Sequence, residues 1–438
     1  MKSIHRKRDK NLGLLELIAI ALGGMVGGGI FTILGISVAL IGYLTPVAII
    51  IGGFIASLAA YSYVKLGVFY QEEGATYSFY KLTYPNSKLA ASTIGWFVIF
   101  GYISTLALYA YTFASYAISS FEFANNLWVR KLIAIGIIIV FAIINIASVK
   151  GMGKLEDLMV YSKLLILGFI SFVLIQNGQS DFTTFIQQLG SDIEHSSTLS
   201  ILIVASITFV AYEGFQLVIN AVNEMSQPEK NIPRAIYSAI FLAVLIYVVI
   251  AIGALYAIPI NDIIKNQEYA LASGAQDVLG SMGANLVIFG ALLASSSAIS
   301  GTLFGSSRQM AVIAADGYFP HFLTKRKQSI PVQAIITMSF IACILITIGG
   351  LQLILEFGSI TFLLVSLLMA IANFKIRDKT NSSVFITISS IVGLALGGIL
   401  ILYYEFQNKP QQMIAILVLY CLLFFFAWVY SRPKKVNA

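Results

Sequence analysis

Charge is scarce in this chain: Asp, Glu, Lys and Arg make up 11% of its 438 residues, against about 25% in soluble globular proteins. Hydrophobic residues reach 58% and mean hydropathy is +0.87. A soluble fold of this length would lack the polar surface to cover itself, so the composition points to a protein built into a bilayer. Cysteine is nearly absent. Cys343 and Cys421 both lie in apolar runs, where a free thiol behaves as a small hydrophobe, and two such residues make neither a disulfide framework nor a Cys-rich metal site. His5, His195 and His321 stand far apart and outside those runs. No nucleophile–base pair or metal-ligand set emerges, so an enzyme is not expected, and neither is a metal or an organic cofactor.

What is abundant is long hydrophobic sequence. A spanning helix needs about 20 apolar residues, and suitable runs fall at 12–41, 45–64, 92–113, 132–149, 158–175, 199–222, 236–258, 285–305, 332–348, 354–374, 384–404 and 413–430. The expected fold is all-α, with twelve transmembrane helices. The ninth and tenth are divided only by Gly349-Gly350. Lys and Arg orient the bundle. With both termini cytoplasmic, 22 of the 27 basic residues lie on that side. Only Arg130, Lys131, Lys265 and Lys409 lie on the other, and Lys163 falls inside a span. Such a bias is the positive-inside signal. The net charge of +7 therefore reflects topology in the cell membrane and calls for no nucleic-acid partner. The first apolar run is too long for a cleaved leader and lacks a small-residue cleavage site. Within the outer connection 261–283 a short amphipathic helix is expected.

Two spans carry sequence that a helix tolerates badly. In GGMVGGGIF at 23–31, five of the seven residues from Gly23 to Gly29 are glycine, each costing about 1 kcal/mol against alanine in a helix interior. Close packing of neighbouring helices is one reading, because Gly23/Gly27 and Gly24/Gly28 fit GxxxG. The other is a broken helix whose second half starts near Gly29 and aims free N–H groups at an anion. SITFVAYEGFQ at 206–216 places Glu213 and Gly214 in mid-span, where a carboxyl is expensive without water or a partner. These are the first and sixth spans, at matching positions of two five-helix halves. Five helices per half makes the halves inverted, and paired interruptions of this kind point to a central site in transporters.

At this point the chain resembles the amino acid–polyamine–organocation transporters. VGGGIF at 26–31 is similar to that family's glycine-rich break in helix one, and FVAYEGF at 209–215 to its break in helix six. QPEKNIPRAI at 227–236 and SSRQMAVIAADGYFP at 306–320 resemble its cytoplasmic signatures before helix seven and after helix eight. QEEGATYSFY at 71–80 departs from the family's Pro-containing, double-glycine loop. The resemblance implies a five-plus-five inverted repeat over 12–175 and 199–374, two further helices in 384–430, and cytoplasmic tails at 1–11 and 431–438. It further implies transport of an amino acid, with a proton as coupling ion, or exchange of an amino acid for its product. A sensor or channel on the same scaffold is a third reading. A sensor usually carries a long soluble domain, which is not expected here, and a channel would show unitary currents.

By the same resemblance, substrate binds at Gly27, Gly28, Gly29, Ile30, Phe209, Val210, Ala211 and Glu213. The carboxylate meets the N–H groups of Gly28, Gly29 and Ile30. The ammonium meets carbonyls at Phe209, Val210 and Glu213, joined by those from Gly23 to Val26. Phe209 resembles an aromatic gate. KLLILGF at 163–169 is similar to proton-coupled members in which a lysine replaces the sodium ion of sodium-coupled relatives. On that reading Lys163 points toward Gly23, Val26, Ser296 and Ser297 and carries the coupling proton. From position alone it could equally snorkel to the interface, and the run Ser295–Ser296–Ser297 could be small-residue packing. Glu213 is read either as a protonated structural carboxyl or as a group that titrates during transport. Glu16 and Glu356 each begin a helix, where a carboxylate suits the positive end, and both read as structural. With no other carboxylate near the pocket, the expected substrate is a neutral amino acid. Oligomeric state is not legible.

Overall fold

The computed structural model describes residues 12–72, 74–147, 152–178, 182–327 and 330–432. Apolar chain in a bilayer must satisfy its backbone internally, which leaves helices as the spanning element here. The described residues are mostly helical, with two isolated bridges, Leu12 with Met225 and Lys327 with Ile330. The helices are α1 (Leu14–Met25), α2 (Gly29–Ile41), α3 (Thr45–Tyr70), α4 (Ala75–Thr83), α5 (Lys88–Ala117) and α6 (Leu127–Ala147). After them come α7 (Met152–Gln176), α8 (Phe182–His195), α9 (Thr198–Thr208), α10 (Pro228–Ala257), α11 (Ile260–Lys265) and α12 (Ala270–Ala315). The chain continues through α13 (Val332–Ile348), α14 (Leu351–Lys375), α15 (Arg377–Thr380), α16 (Val384–Asn408) and α17 (Pro410–Ser431). Ten stretches of the described residues are long and apolar enough to cross a membrane, counting Gly29–Tyr70 as one, and α1 and α13 are shorter apolar helices.

Several expectations shift at the boundaries. The run 12–41 is two helices, and 199–222 is α9 followed by 3-10 turns at Phe209–Tyr212 and Phe215–Ala221. The ninth and tenth runs separate at Gly349 and Gly350, both extended. In the connection 261–283 the chain forms α11 and the first ten residues of α12, which break from the remainder at Gly280 (φ 67°). The helix α8 was not foreseen. Its carboxylate Asp192 accepts from Tyr43 N–H at 2.8 Å, so it docks onto the turn after α2.

Burial sorts the helices into inner and outer. The central window of Thr198–Ala221 is 83% buried, whereas that of Pro410–Ser431 is 17% buried, so the broken helix is axial and α17 peripheral. Phe54, Phe241, Phe340 and Phe385 are exposed on the outside. In water that much apolar surface would be an aggregation liability; against lipid it is the ordinary covering of a bundle.

Polar ties gather the connections at two opposite ends. At one end Lys81 pairs with Asp316 at 2.6 Å, Gly74 N–H donates to Asn220, and Lys65 donates to Asn381 O. At the other, Arg130 pairs with Glu268, Lys131 donates to Thr347 O at 2.8 Å, and Tyr269 donates to Asn125. The first set joins connections after even-numbered runs and the second joins those after odd-numbered runs.

Candidate substrate site at two helix breaks

α1 ends at Met25 and α2 begins at Gly29, with Val26 outside helical geometry (φ −81°, ψ 75°). A helix end leaves carbonyls without intrahelical donors, and a helix start leaves N–H groups without acceptors. Here the carbonyls are claimed one by one. Leu22 O accepts from Val26 N–H at 2.8 Å, Gly23 O from Lys163 at 3.0 Å, and Met25 O from Gly27 N–H at 2.9 Å. Of the four residues named in this break, Gly27 therefore has its N–H engaged by its own chain. The N–H groups of Gly28, Gly29 and Ile30 lie before the first i→i−4 bond of α2 and form the cluster able to receive an anion.

The second break follows α9. Phe209–Tyr212 tightens into a 3-10 turn, Glu213 is extended (φ −68°, ψ 136°), and Gly214 has φ 125°. That value favours glycine, and a side chain there would meet more than strain. A Cβ on Gly214 would lie 2.5 Å from Gly24 C, and one on Gly24 would lie 3.1 Å from Gly214 Cα. The two breaks thus cross backbone against backbone, and these glycines set how closely. Val210 O accepts from Glu213 N–H at 3.2 Å, leaving one lone pair for a ligand.

One side chain, Tyr247 of α10, joins both breaks. Its hydroxyl lies 2.8 Å from Met25 O and 2.9 Å from Ala211 O, so its single proton is shared between carbonyls of the two interrupted helices. Sequence reasoning missed it, since a tyrosine in an apolar run carries no signal of its own. Ser295, read from sequence only as part of a run of small residues, also lies here. A Cβ on Gly28 would come 2.5 Å from Ser295 Oγ and 3.1 Å from Thr112 Cβ, and the buried Ser295 hydroxyl has no hydrogen-bond partner. An orphan hydroxyl beside the α2 start is costly unless something polar visits it.

Lys163 is fully buried. Its ammonium reaches Gly23 O at 3.0 Å and Ser297 Oγ at 3.5 Å, which links α7 to α1 and α12. Of the residues expected around it, these two contacts reach Gly23 and Ser297. Burial excludes the snorkelling alternative for this residue. Glu213 is 4% exposed. Oε2 accepts from Gln216 Nε2 at 2.8 Å, and Gln216 Nε2 also lies 3.2 Å from Tyr102 OH. Oε1 has no donor. Phe209 is 0% exposed and Val210 and Ala211 nearly so, so the break is closed over in this conformation. Glu16, expected at a helix start, is in the first turn of α1. Glu356, also expected at a helix start, lies beyond the first turn of α14 and is buried.

Comparison with known proteins bears on the whole chain. It is 28% identical over 438 residues to the inner membrane transport protein YbaT of Escherichia coli strain K12, covering 98% of each. It is 25% identical over 305 residues to the serine/threonine exchanger SteT of Bacillus subtilis strain 168, covering 68% of this chain and 67% of that one. Against the human large neutral amino acids transporter small subunit 2, identity is 27% over 331 residues, with 72% and 59% covered. The family profile described as amino acid permease matches residues 12–436. The chain therefore belongs to the amino acid permease family, and the paired helix breaks lie within the matched region.

Proposed function

We propose that this protein carries a neutral amino acid across the cell membrane by alternating access, with a proton on Lys163 as the coupling ion. Membership of the permease family supports amino acid transport in general. The observation that carries the coupling is a buried ammonium holding α1 to α12 through Gly23 O and Ser297 Oγ. An intramembrane charge with defined partners is expensive to keep and suits a proton relay. With its proton, Lys163 fastens the first half of the broken helix to its neighbours; without it, the donor to Gly23 O is weakened and α1 is freed to swing.

The substrate carboxylate is assigned to the N–H groups of Gly28, Gly29 and Ile30, with Ser295 Oγ as an additional donor. The ammonium is assigned to carbonyls of 209–213. Phe209 closes over the bound amino acid, and Glu213 is the one acidic group in the second break. The segregation of polar ties between even and odd connections supports runs that cross the bundle alternately, while the five-plus-five inverted repeat and the cytoplasmic termini rest on the family likeness and on the bias of Lys and Arg. Rocking of the breaks together with α3 and α10 against the other helices would then expose the site alternately to each face.

Tyr247→Phe removes the proton shared by Met25 O and Ala211 O. A lost buried hydrogen bond of this type is worth about 1–2 kcal/mol, so uptake should fall roughly tenfold while the protein folds normally. Initial-rate uptake in proteoliposomes checks this. In contrast, a Cβ on Gly136 of α6 would meet nothing within 4 Å. Gly136→Ala should leave uptake unchanged and raise the melting temperature slightly, by gain of helix propensity.

The second reading, exchange, is favoured by the similarity to a protein described as a serine/threonine exchanger. Uptake of a radiolabelled amino acid panel into empty and preloaded proteoliposomes separates the two. Symport predicts filling of empty vesicles under an inward proton gradient. Exchange predicts uptake only where amino acid is already inside, whatever the gradient.

A further inference from the structure

Far from the two breaks, α14 and α16 enclose a pair of carboxyls that the transport reading does not use. Glu356 and Glu405 are both 0% exposed, and they are neighbouring carboxyls where α14 packs on α16. Gln352 Nε2 donates to Glu356 Oε1 at 2.7 Å. Glu356 Oε2 and both oxygens of Glu405 have no donor from the protein. Two carboxylates in this arrangement would leave three buried acceptors unsatisfied and two like charges in contact. One proton between them relieves the repulsion and pairs two of those three oxygens, because a protonated carboxyl donates to its ionised neighbour.

We propose that Glu356 and Glu405 form a second proton-binding site, separate from the substrate site, in which one shared proton ties α14 to α16. The other polar groups that interact with the pair are Tyr404 on α16 and Lys409 at the turn into α17. Among the helices packed on α14 and α16, α9, α13 and α17 carry no Asp, Glu, Lys or Arg. In α3 and α5, Lys65 and Lys88 lie at the opposite end of the bundle, and Tyr420 of α17 is engaged by Thr361 at 2.9 Å.

The location gives the proton leverage on the second break. Ser359, one helical turn after Glu356, donates to Ile207 O at 2.7 Å, just before α9 gives way to the 3-10 turn. A Cβ on Gly358 would sit 2.9 Å from Ser104 Oγ and 3.5 Å from Val210 Cγ2. Thus α14 braces the break directly, and a proton that fixes α14 against α16 fixes the brace. Loss of the shared proton sets two carboxylates against each other and loosens that support. This inference does not depend on what the central site carries.

Wild-type protein in liposomes, treated with dicyclohexylcarbodiimide across a pH series, tests the site without any substitution. This reagent modifies protonated buried carboxyls, and peptide mass spectrometry locates the label. Label on Glu356 or Glu405 at neutral pH that is lost on alkalinisation is the expected result. No label on either residue at any pH would overturn the proposal. In a second experiment Glu405→Gln supplies a permanent amide donor to Glu356. Exchange by wild type is expected to decline at alkaline pH, and exchange by this variant is expected not to. An unchanged alkaline decline in the correctly folded variant would show that the pair does not govern the break.

Discussion

Replacing Lys163 by alanine is expected to cut proton-driven uptake by at least about tenfold, equivalent to about 1.4 kcal/mol. Three linked facts lead to this expectation. The side chain is fully buried, its ammonium donates to Gly23 O, and it contacts Ser297 Oγ. Removing it leaves a carbonyl at the end of α1 without that donor and a cavity between α7, α1 and α12. Deleting a long buried side chain costs about 2–5 kcal/mol, and part of the loss will show as lower thermal stability. Lys163→Met separates the two contributions, since it keeps most of the volume and removes the titratable group. If coupling is the role, Lys163→Met retains stability and substrate exchange but accumulates no amino acid under a proton gradient. Wild-type accumulation in both variants would reduce Lys163 to a tether.

The largest structural effect is expected at Gly214. Alanine there must adopt φ 125°, a conformation costing about 1–3 kcal/mol for a residue with a Cβ. That Cβ would also lie 2.5 Å from Gly24 C and 2.8 Å from Met25 N. Both are backbone atoms, so no rotamer change relieves the clash. Overpacking adds about 1–3 kcal/mol, and α1 must move away from the second break to accept the methyl. Because Gly23 O and Met25 O hold Lys163 and Tyr247 respectively, such a shift disturbs both. Gly214→Ala should therefore give little or no monodisperse protein, and any that is recovered should melt well below wild type and bind no substrate. Size-exclusion profile and thermal unfolding of the purified variant check this. Normal melting with normal uptake would mean that the close crossing of the two breaks is not required.

Sequence pattern alone carried the broad architecture and the positions of the interruptions, because both follow from local physics. Long apolar runs have few alternatives to helix in a bilayer, and five glycines in seven residues cannot hold a helix firmly. The second half beginning at Gly29 follows from that composition. Placement of Lys163 opposite Gly23 rested on family resemblance; periodicity alone left it open to the interface. Less was legible where the decisive information is three-dimensional. Nothing local distinguishes Tyr247 from the other tyrosines of the apolar runs, yet it bridges both breaks through Met25 O and Ala211 O. Of three consecutive serines, helical geometry turns Ser295 to the α2 start and Ser297 to Lys163, a choice that the sequence leaves open. Glu356 read as a helix-start carboxylate because its neighbour Glu405, 49 positions later in the chain, becomes a partner only when α14 packs on α16.

The central claim, an amino acid moving together with a proton, is tested most directly inside the vesicle. Proteoliposomes containing a pH-sensitive dye, with no imposed gradient, receive a neutral amino acid from outside. The account predicts that the lumen acidifies as the amino acid enters, and that Lys163→Met abolishes the acidification. Entry of amino acid with no change in lumenal pH, under conditions where the dye responds to added acid, would contradict it.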